Sequence, residues 1–262
     1  MSRVCQLFSG SSGNSTYIGT SESGILIDAG VNAKKLTIGL NDIGVLPEMI
    51  KAIFVTHEHS DHIAGVRVFA SRYNIPVFAT KGTLEVMERD GHLNGKFPSF
   101  DMEYREIEVD GYKVTNFKTP HDCAESCGYR IELPDGRVVS VCTDLGFVSA
   151  EIRNSLRGSD LIVFESNHDV DMLKNGSYPY YLKQRILGKV GHLSNDSSAE
   201  TLPFFVENGT TRIVLSHLSR ENNRPLIAKS TAISILSDYN MKNGQDYLLY
   251  VAPQSGGEML VF

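Results

Sequence analysis

Thr56-His57-Glu58-His59-Ser60-Asp61-His62 sets three imidazoles and a carboxylate within six residues, directly after the apolar run Ala52-Ile53-Phe54-Val55. With 8 His in 262 residues, the odds of such a pattern arising by chance are well below about one in a thousand. Imidazole is the commonest neutral ligand of borderline divalent metals, and a carboxylate adds hard oxygen donors. A loop leaving a rigid strand can turn His57 and His59 toward one ion. Asp61 and His62, one turn further on at a helix start, can face a neighbouring ion. Asp61 as a helix cap would explain one residue and leave three histidines without a purpose.

Outward from this stretch, short β-branched runs recur. They are Gly24-Ile25-Leu26-Ile27-Asp28, Ala52 to Thr56, Lys113 to Phe117, Arg137 to Val141, Asp160 to Phe164 and Arg212 to Ser216. Their length and their Gly, Asp, Pro or polar boundaries predict buried strands. Segments with helical apolar spacing lie between them, at Ile63 to Tyr73, Lys81 to Gly91, Ser197 to Asn208 and Ile227 to Tyr239. Asp-Gly pairs in Val109-Asp110-Gly111-Tyr112 and Leu133-Pro134-Asp135-Gly136 predict hairpins. Hairpins mixed with helical crossovers predict mixed sheets covered by helices, a layered α/β protein. No repeat, linker or low-complexity tract interrupts the chain, so residues 1–262 are expected to form one domain.

Composition narrows the function. Hydrophobic residues make up 41% and charged residues 21%, which excludes disorder. No run is long and apolar enough to span a membrane or to form a signal peptide. Four cysteines without framework spacing predict a reducing, cytoplasmic setting. Cys123 and Cys127 lack the second pair that a zinc knuckle needs, and read as buried small residues. A net charge of −6 means that a polyanionic substrate must be held by a local basic patch or by metal ions.

Three more candidate ligands follow later strands: His121 after Phe117-Lys118-Thr119-Pro120, Asp144 after Val141-Cys142-Thr143, and His217 after Val214-Leu215-Ser216. One ion could take His57, His59 and His121, the other Asp61, His62 and His217, with Asp144 bridging. Such a pair sharpens a bridging hydroxide for hydrolysis. Zn²⁺, Mn²⁺ and Fe²⁺ all suit these donors. His57-Glu58-His59-Ser60-Asp61-His62 followed in order by His121, Asp144 and His217 resembles the metallo-β-lactamase fold over nearly the whole chain. The resemblance implies a four-layer αββα sandwich with a dinuclear site at one edge of two facing sheets. That fold serves many hydrolases, so it does not assign a substrate by itself.

Further motifs sort the substrates. Ser9-Gly10-Ser11-Ser12-Gly13-Asn14-Ser15, Glu165-Ser166-Asn167-His168-Asp169 and Gly191-His192-Leu193-Ser194-Asn195 together resemble the bacterial YycJ/WalJ/VicX group of this fold. The resemblance implies 5′-to-3′ DNA exonuclease activity, with RNA as an open alternative. It also implies association with DNA repair or with a two-component system. Ser11, Ser12 and Asn14 offer hydroxyl, amide and backbone N–H groups to a phosphate or an active-site rim. Ser194 and Asn195 offer the same chemistry, or a helix cap. His192 reads as general acid or phosphate-oxygen donor, with Glu165 orienting its other nitrogen and Asp61 holding a metal and orienting the nucleophile. His168 is either near the site or structural. Lys183 and Arg185, interleaved with Tyr178, Tyr180 and Tyr181 between Lys174 and Lys189, read equally as a single-strand platform or a solvated helix face.

Other readings stay open. One is hydrolysis of a small ester, thioester or cyclic phosphodiester. Another is a metal-stabilised regulator without turnover, against which the full ligand set argues. A lactamase resemblance would require Cys where Asp144 stands.

Overall fold

The computed structural model describes residues 1–262. The chain divides into two compact units. The first holds Met1–Asn116, Cys123–Arg137 and Pro253–Phe262; the second holds Phe117–Asp122 and Val138–Ala252. The strands fall into two seven-stranded sheets.

The first sheet lies within the first unit. Its strands are β1 (Arg3–Phe8), β2 (Ser15–Gly19), β3 (Gly24–Ile27), β4 (Ile50–Phe54), β5 (Val77–Ala79), β6 (Ser99–Asp101) and the late-arriving β14 (Leu260–Val261), in the order β14-β1-β2-β3-β4-β5-β6. It is mixed, antiparallel from β1 to β3 and parallel from β3 to β6. β3 is buried along its whole length, so it reads as an unbroken apolar run rather than an alternating one. Helices α1 (Ala33–Asp42), α2 (Ser60–Ile63), α3 (Val66–Tyr73) and α4 (Lys81–Arg89) complete this unit. Leu36 and Phe69 from α1 and α3 join Leu7, Leu26, Ile53 and Val55 in its core.

Also in the first unit are β7 (Ile107–Val109), β8 (Tyr112–Lys118, except its last two residues) and β9 (Cys127–Glu132), in the order β9-β8-β7. Val109 pairs with Tyr112 across Asp110 and Gly111, whose φ values of 51° and 79° make this the tight hairpin that Asp-Gly predicts.

The second unit contains a parallel run β13-β12-β11-β10, formed by β10 (Val138–Cys142), β11 (Leu161–Glu165), β12 (Arg212–Ser216) and β13 (Leu248–Val251). Its helices are α5 (Ala150–Leu156), α6 (Val170–Asn175), α7 (Tyr180–Ile186), α8 (Asn195–Ala199), α9 (Leu202–Glu207) and α10 (Pro225–Asp238). Phe164 and Leu215 from the sheet meet Leu202, Phe205 and Leu236 from α9 and α10 in one core.

Two of the expected helices differ. Ser197 to Asn208 is two helices, because Pro203 has no N–H to continue α8 and instead sits in the first turn of α9. Ile63 to Tyr73 is broken at Ala64-Gly65, where Gly65 N donates to Ala29 O and a side chain would overlap Val31 O. Of the two cysteines expected to be buried, Cys127 is buried and Cys123 is only half-buried; Cys5 and Cys142 are buried as well. No helix is long and apolar enough to cross a membrane.

Candidate metal centre

The expected ligands stand at the carboxyl ends of strands, where sheet proteins of this class gather functional groups. In the first unit the loop after β4 carries Thr56 to His59, and α2 follows with Asp61 and His62. The loop's anchor is Asp28, the residue after β3, which is buried and held at φ 62°. Thr56 N and Thr56 Oγ1 donate to Asp28 Oδ1 and Oδ2 at 2.8 and 2.9 Å. His62 Nδ1 lies 2.8 Å from Asp28 Oδ2. Burial pushes the Asp28 carboxyl up, and the His62 contact opposes that shift. A carboxylate behind Nδ1 directs the His62 lone pair to Nε2, the usual arrangement behind a metal-binding imidazole.

His57 is also fully buried, with Nδ1 3.0 Å from Thr56 Oγ1 and Nε2 3.0 Å from His59 Nδ1. The His57 and His62 rings are 4.0 Å apart. Asp61 and Asn14 face each other, Asn14 Nδ2 being 3.3 Å from Asp61 Oδ2 and 3.0 Å from His62 Nε2. The loop sits this tightly because Asn14 N donates to Asp61 O, Ala29 N donates to His62 O, and a Cβ on Gly30 would overlap Asp61 O.

In the second unit Asp144, after β10, is buried at φ 59°, and His217, after β12, is buried at φ 58°. Asp144 Oδ1 lies 3.4 Å from His217 Nδ1, 3.8 Å from His192 Nδ1 and 3.9 Å from His121 Nε2. His121 Nδ1 is 3.3 Å from Gly191 O, which leaves Nε2 as its ligand atom. Burial holds the His121 pKa low, against the pull of Asp144.

Glu165, the last residue of β11, is fully buried and fully used. Oε1 accepts from His192 Nδ1 at 2.8 Å and from His217 Nδ1 at 2.9 Å. Oε2 accepts from Leu145 N at 3.0 Å and Leu193 N at 3.2 Å. Burial alone would raise its pKa, but the two imidazoles hold it below the usual carboxylate range. Asp144, Glu165, His192 and His217 each bring a donor atom within 4.8 Å of the others. Buried carboxylates and imidazoles brought this close together suit a divalent cation, whose positive charge they would share.

The remaining expected residues have varied surroundings. Ser11 and Ser12 are exposed at the tip of the β1–β2 loop. Asn14 is buried behind the Asp61 loop. Ser194 caps α8 by accepting from Ser197 N, and Asn195 is buried with Ser166 and Asn223. Arg185 donates from Nε and Nη2 to Asp122, and Lys183 Nζ donates to Lys174 O at 2.8 Å. His168 is buried with no hydrogen-bond partner at either ring nitrogen. In the sequence Asp28 reads only as a strand end, with no role assigned to it. An acid closing a fully apolar run, ahead of Ala-Gly, was the available signal.

The model of the beta-lactamase superfamily domain matches residues 24–218. The chain belongs to this superfamily. Exodeoxyribonuclease WalJ of Streptococcus pneumoniae is 39% identical over 253 residues, spanning 93% of this chain and 91% of that protein. Exodeoxyribonuclease YycJ of Bacillus anthracis is 36% identical over 93% of this chain and 92% of its own length. Among solved structures, the metallo-beta-lactamase fold protein YhfI from Bacillus subtilis superposes with a TM-score of 0.75 over 99% of this chain and 98% of its own, at 15% identity. The chain therefore has the αββα metallo-β-lactamase fold that the histidine motif implied, and as a member of this superfamily its strand-end histidines and acids suit divalent metal.

Proposed function

We propose that the chain is a metal-dependent phosphodiesterase that removes nucleotides from the 5′ end of DNA. The observation that carries this reading is Glu165 Oε1 between His192 Nδ1 and His217 Nδ1, in a chain similar over 93% of its length to two exodeoxyribonucleases. His57, His59 and His121 would hold one ion and Asp61, His62 and His217 a second, with Asp144 shared and residues 1–262 acting as one domain. When bound, two divalent ions (zinc, manganese or iron) would activate water and neutralise charge on the phosphate.

The chain's own residues supply the rest. Glu165 fixes the His192 tautomer, so that Nε2 is the atom that handles a proton. Protonated there, His192 delivers that proton to the departing 3′ oxygen, worth typically 10²–10⁴-fold in rate. Asp28 and Thr56 keep His62 and His57 aimed, and Asn14 does the same for Asp61.

Duplex DNA labelled at either the 5′ or the 3′ end, incubated with Mn²⁺ or Zn²⁺, tests the reading. Stepwise loss from the 5′ end, absent in an Asp61→Ala/His62→Ala variant, is expected. Intact DNA from protein carrying its metal would overturn the nuclease reading and favour a small ester or cyclic phosphate.

A further inference from the structure

Around Asp144 and His192 the second unit exposes apolar surface that no core requires. Phe147 is 46% exposed, Val190 46% and Leu187 39%. Exposed single hydrophobics are ordinary, but these three lie on two loops that are laced together. A Cβ on Gly146 would overlap the carbonyl of Lys189, so the chain at 146 and at 189 touches backbone to backbone, and Phe147 and Val190 follow at once. Gly146 N also donates to Pro120 O at 3.0 Å.

The lacing continues on the other side. Gly191 N donates to Gly188 O, and His192 N donates to Ile186 O. A side chain on Gly191 would overlap the carbonyls of Arg185 and Ile186. Arg185 in turn is held by Asp122. Three loops that carry His121, Asp144 and His192 are thus locked by backbone contacts, yet they leave an aromatic ring and two aliphatic side chains in solvent. Phe147 comes three residues after Asp144, and Val190 two residues before His192. Lys189, between the apolar pair Leu187 and Val190, is exposed.

We propose that Phe147, with Val190 and Leu187 beside it, is the seat on which the terminal base of a nucleic-acid strand stacks. This rests on the nuclease reading above and extends it to the substrate's end. An exposed flat ring three residues after Asp144 suits a base π-face, which every nucleotide presents, so the seat would hold an end without reading its sequence. The exposed Lys189, next to Val190 in the chain, supplies a positive charge for the phosphate that adjoins such a base. Arg185, committed to Asp122, and Lys183, turned to Lys174 O, leave the holding of the strand end to this rim.

The test uses a single-stranded oligonucleotide with 2-aminopurine at its 5′ end and a cleavage-resistant first linkage, mixed with full-length, metal-loaded protein. Stacking is expected to quench the terminal fluorophore, and Phe147→Ala to abolish the quench while Phe147→Trp keeps it. In a cleavage assay with metal, the protein is expected to prefer a base-bearing 5′ end over an abasic one by about tenfold in KM, a preference that Phe147→Ala loses. Equal quenching in the wild type and Phe147→Ala would overturn the seat. DNA cleavage with an unchanged end preference in the variant would overturn the seat alone and leave the nuclease standing. Quenching that depends on Phe147 without any cleavage would support the seat and overturn the nuclease. Absence of both quench and cleavage would overturn both.

Discussion

Asp28, Asp144 and His217 hold φ of 62°, 59° and 58°, a left-handed conformation that costs a residue with a side chain about 1 kcal/mol or more. Asp and His are among the residues that tolerate it best. Each follows the end of a strand, at a turn that carries a candidate ligand or its partner. Asp28→Asn would put an amide N–H where His62 Nδ1–H needs an acceptor, and a 10–100-fold loss of metal affinity is expected by chelator competition; wild-type affinity would remove Asp28 from the positioning role. Gly30→Ala forces a Cβ into Asp61 O. It should lower Tm and metal content together, as read by calorimetry and metal analysis. His168 carries a different prediction. Burial holds its pKa down to about 4 from an ordinary 6.5. The unfolded chain therefore gains a proton below pH 6.5 that the folded chain refuses until about 4, so stability is complete above 6.5 and falls across that window, by on the order of 3 kcal/mol in all. Urea unfolding at pH 7 and pH 5 should show the loss in the wild type and a smaller one in His168→Leu. An equal loss in both would mean that another group governs acid sensitivity.

At the scale of elements, β3, β4, β10, β11 and β12 were legible because they are buried almost throughout, whereas the largely exposed β6 was not. Gly24–Ile27 and Leu161–Glu165 are buried throughout, and unbroken apolar runs with β-branched residues have few other readings. The Asp110-Gly111 turn was legible for a steric reason, since it needs positive φ twice in succession. Gly111→Val there should lower stability by about 1 kcal/mol, a Tm drop of roughly 2 °C; no drop would mean that the turn relaxes. Helix ends were less legible. The break at Gly65 comes from contacts with Ala29 and Val31, thirty-odd positions away in sequence, and no local pattern carries that. The metal residues were legible by residue type and strand-end position. Asp28 was not, because its role exists only once β3 and β4 are paired. The Arg185–Asp122 pair was hidden in the same way, by a sequence separation of 63.

For the whole molecule, a net charge of −6 opposes a polyanion, so bound cations carry an unusual share of the proposed work. They should also stabilise the fold, because buried acids such as Asp144 are expected to bind them only in the folded state. Ligand at a hundred times its Kd adds about 2.7 kcal/mol. Chelation should therefore lower Tm reversibly, and a Tm indifferent to chelator would contradict metal binding by these residues. Residues that hold metal and His192, which moves a proton, divide the proposed work. The most direct measurement is the turnover of His192→Ala on 5′-labelled DNA together with its metal content. A rate loss of about 10²–10⁴-fold with wild-type metal content is predicted. Loss of metal along with activity would make His192 a metal ligand rather than the proton donor.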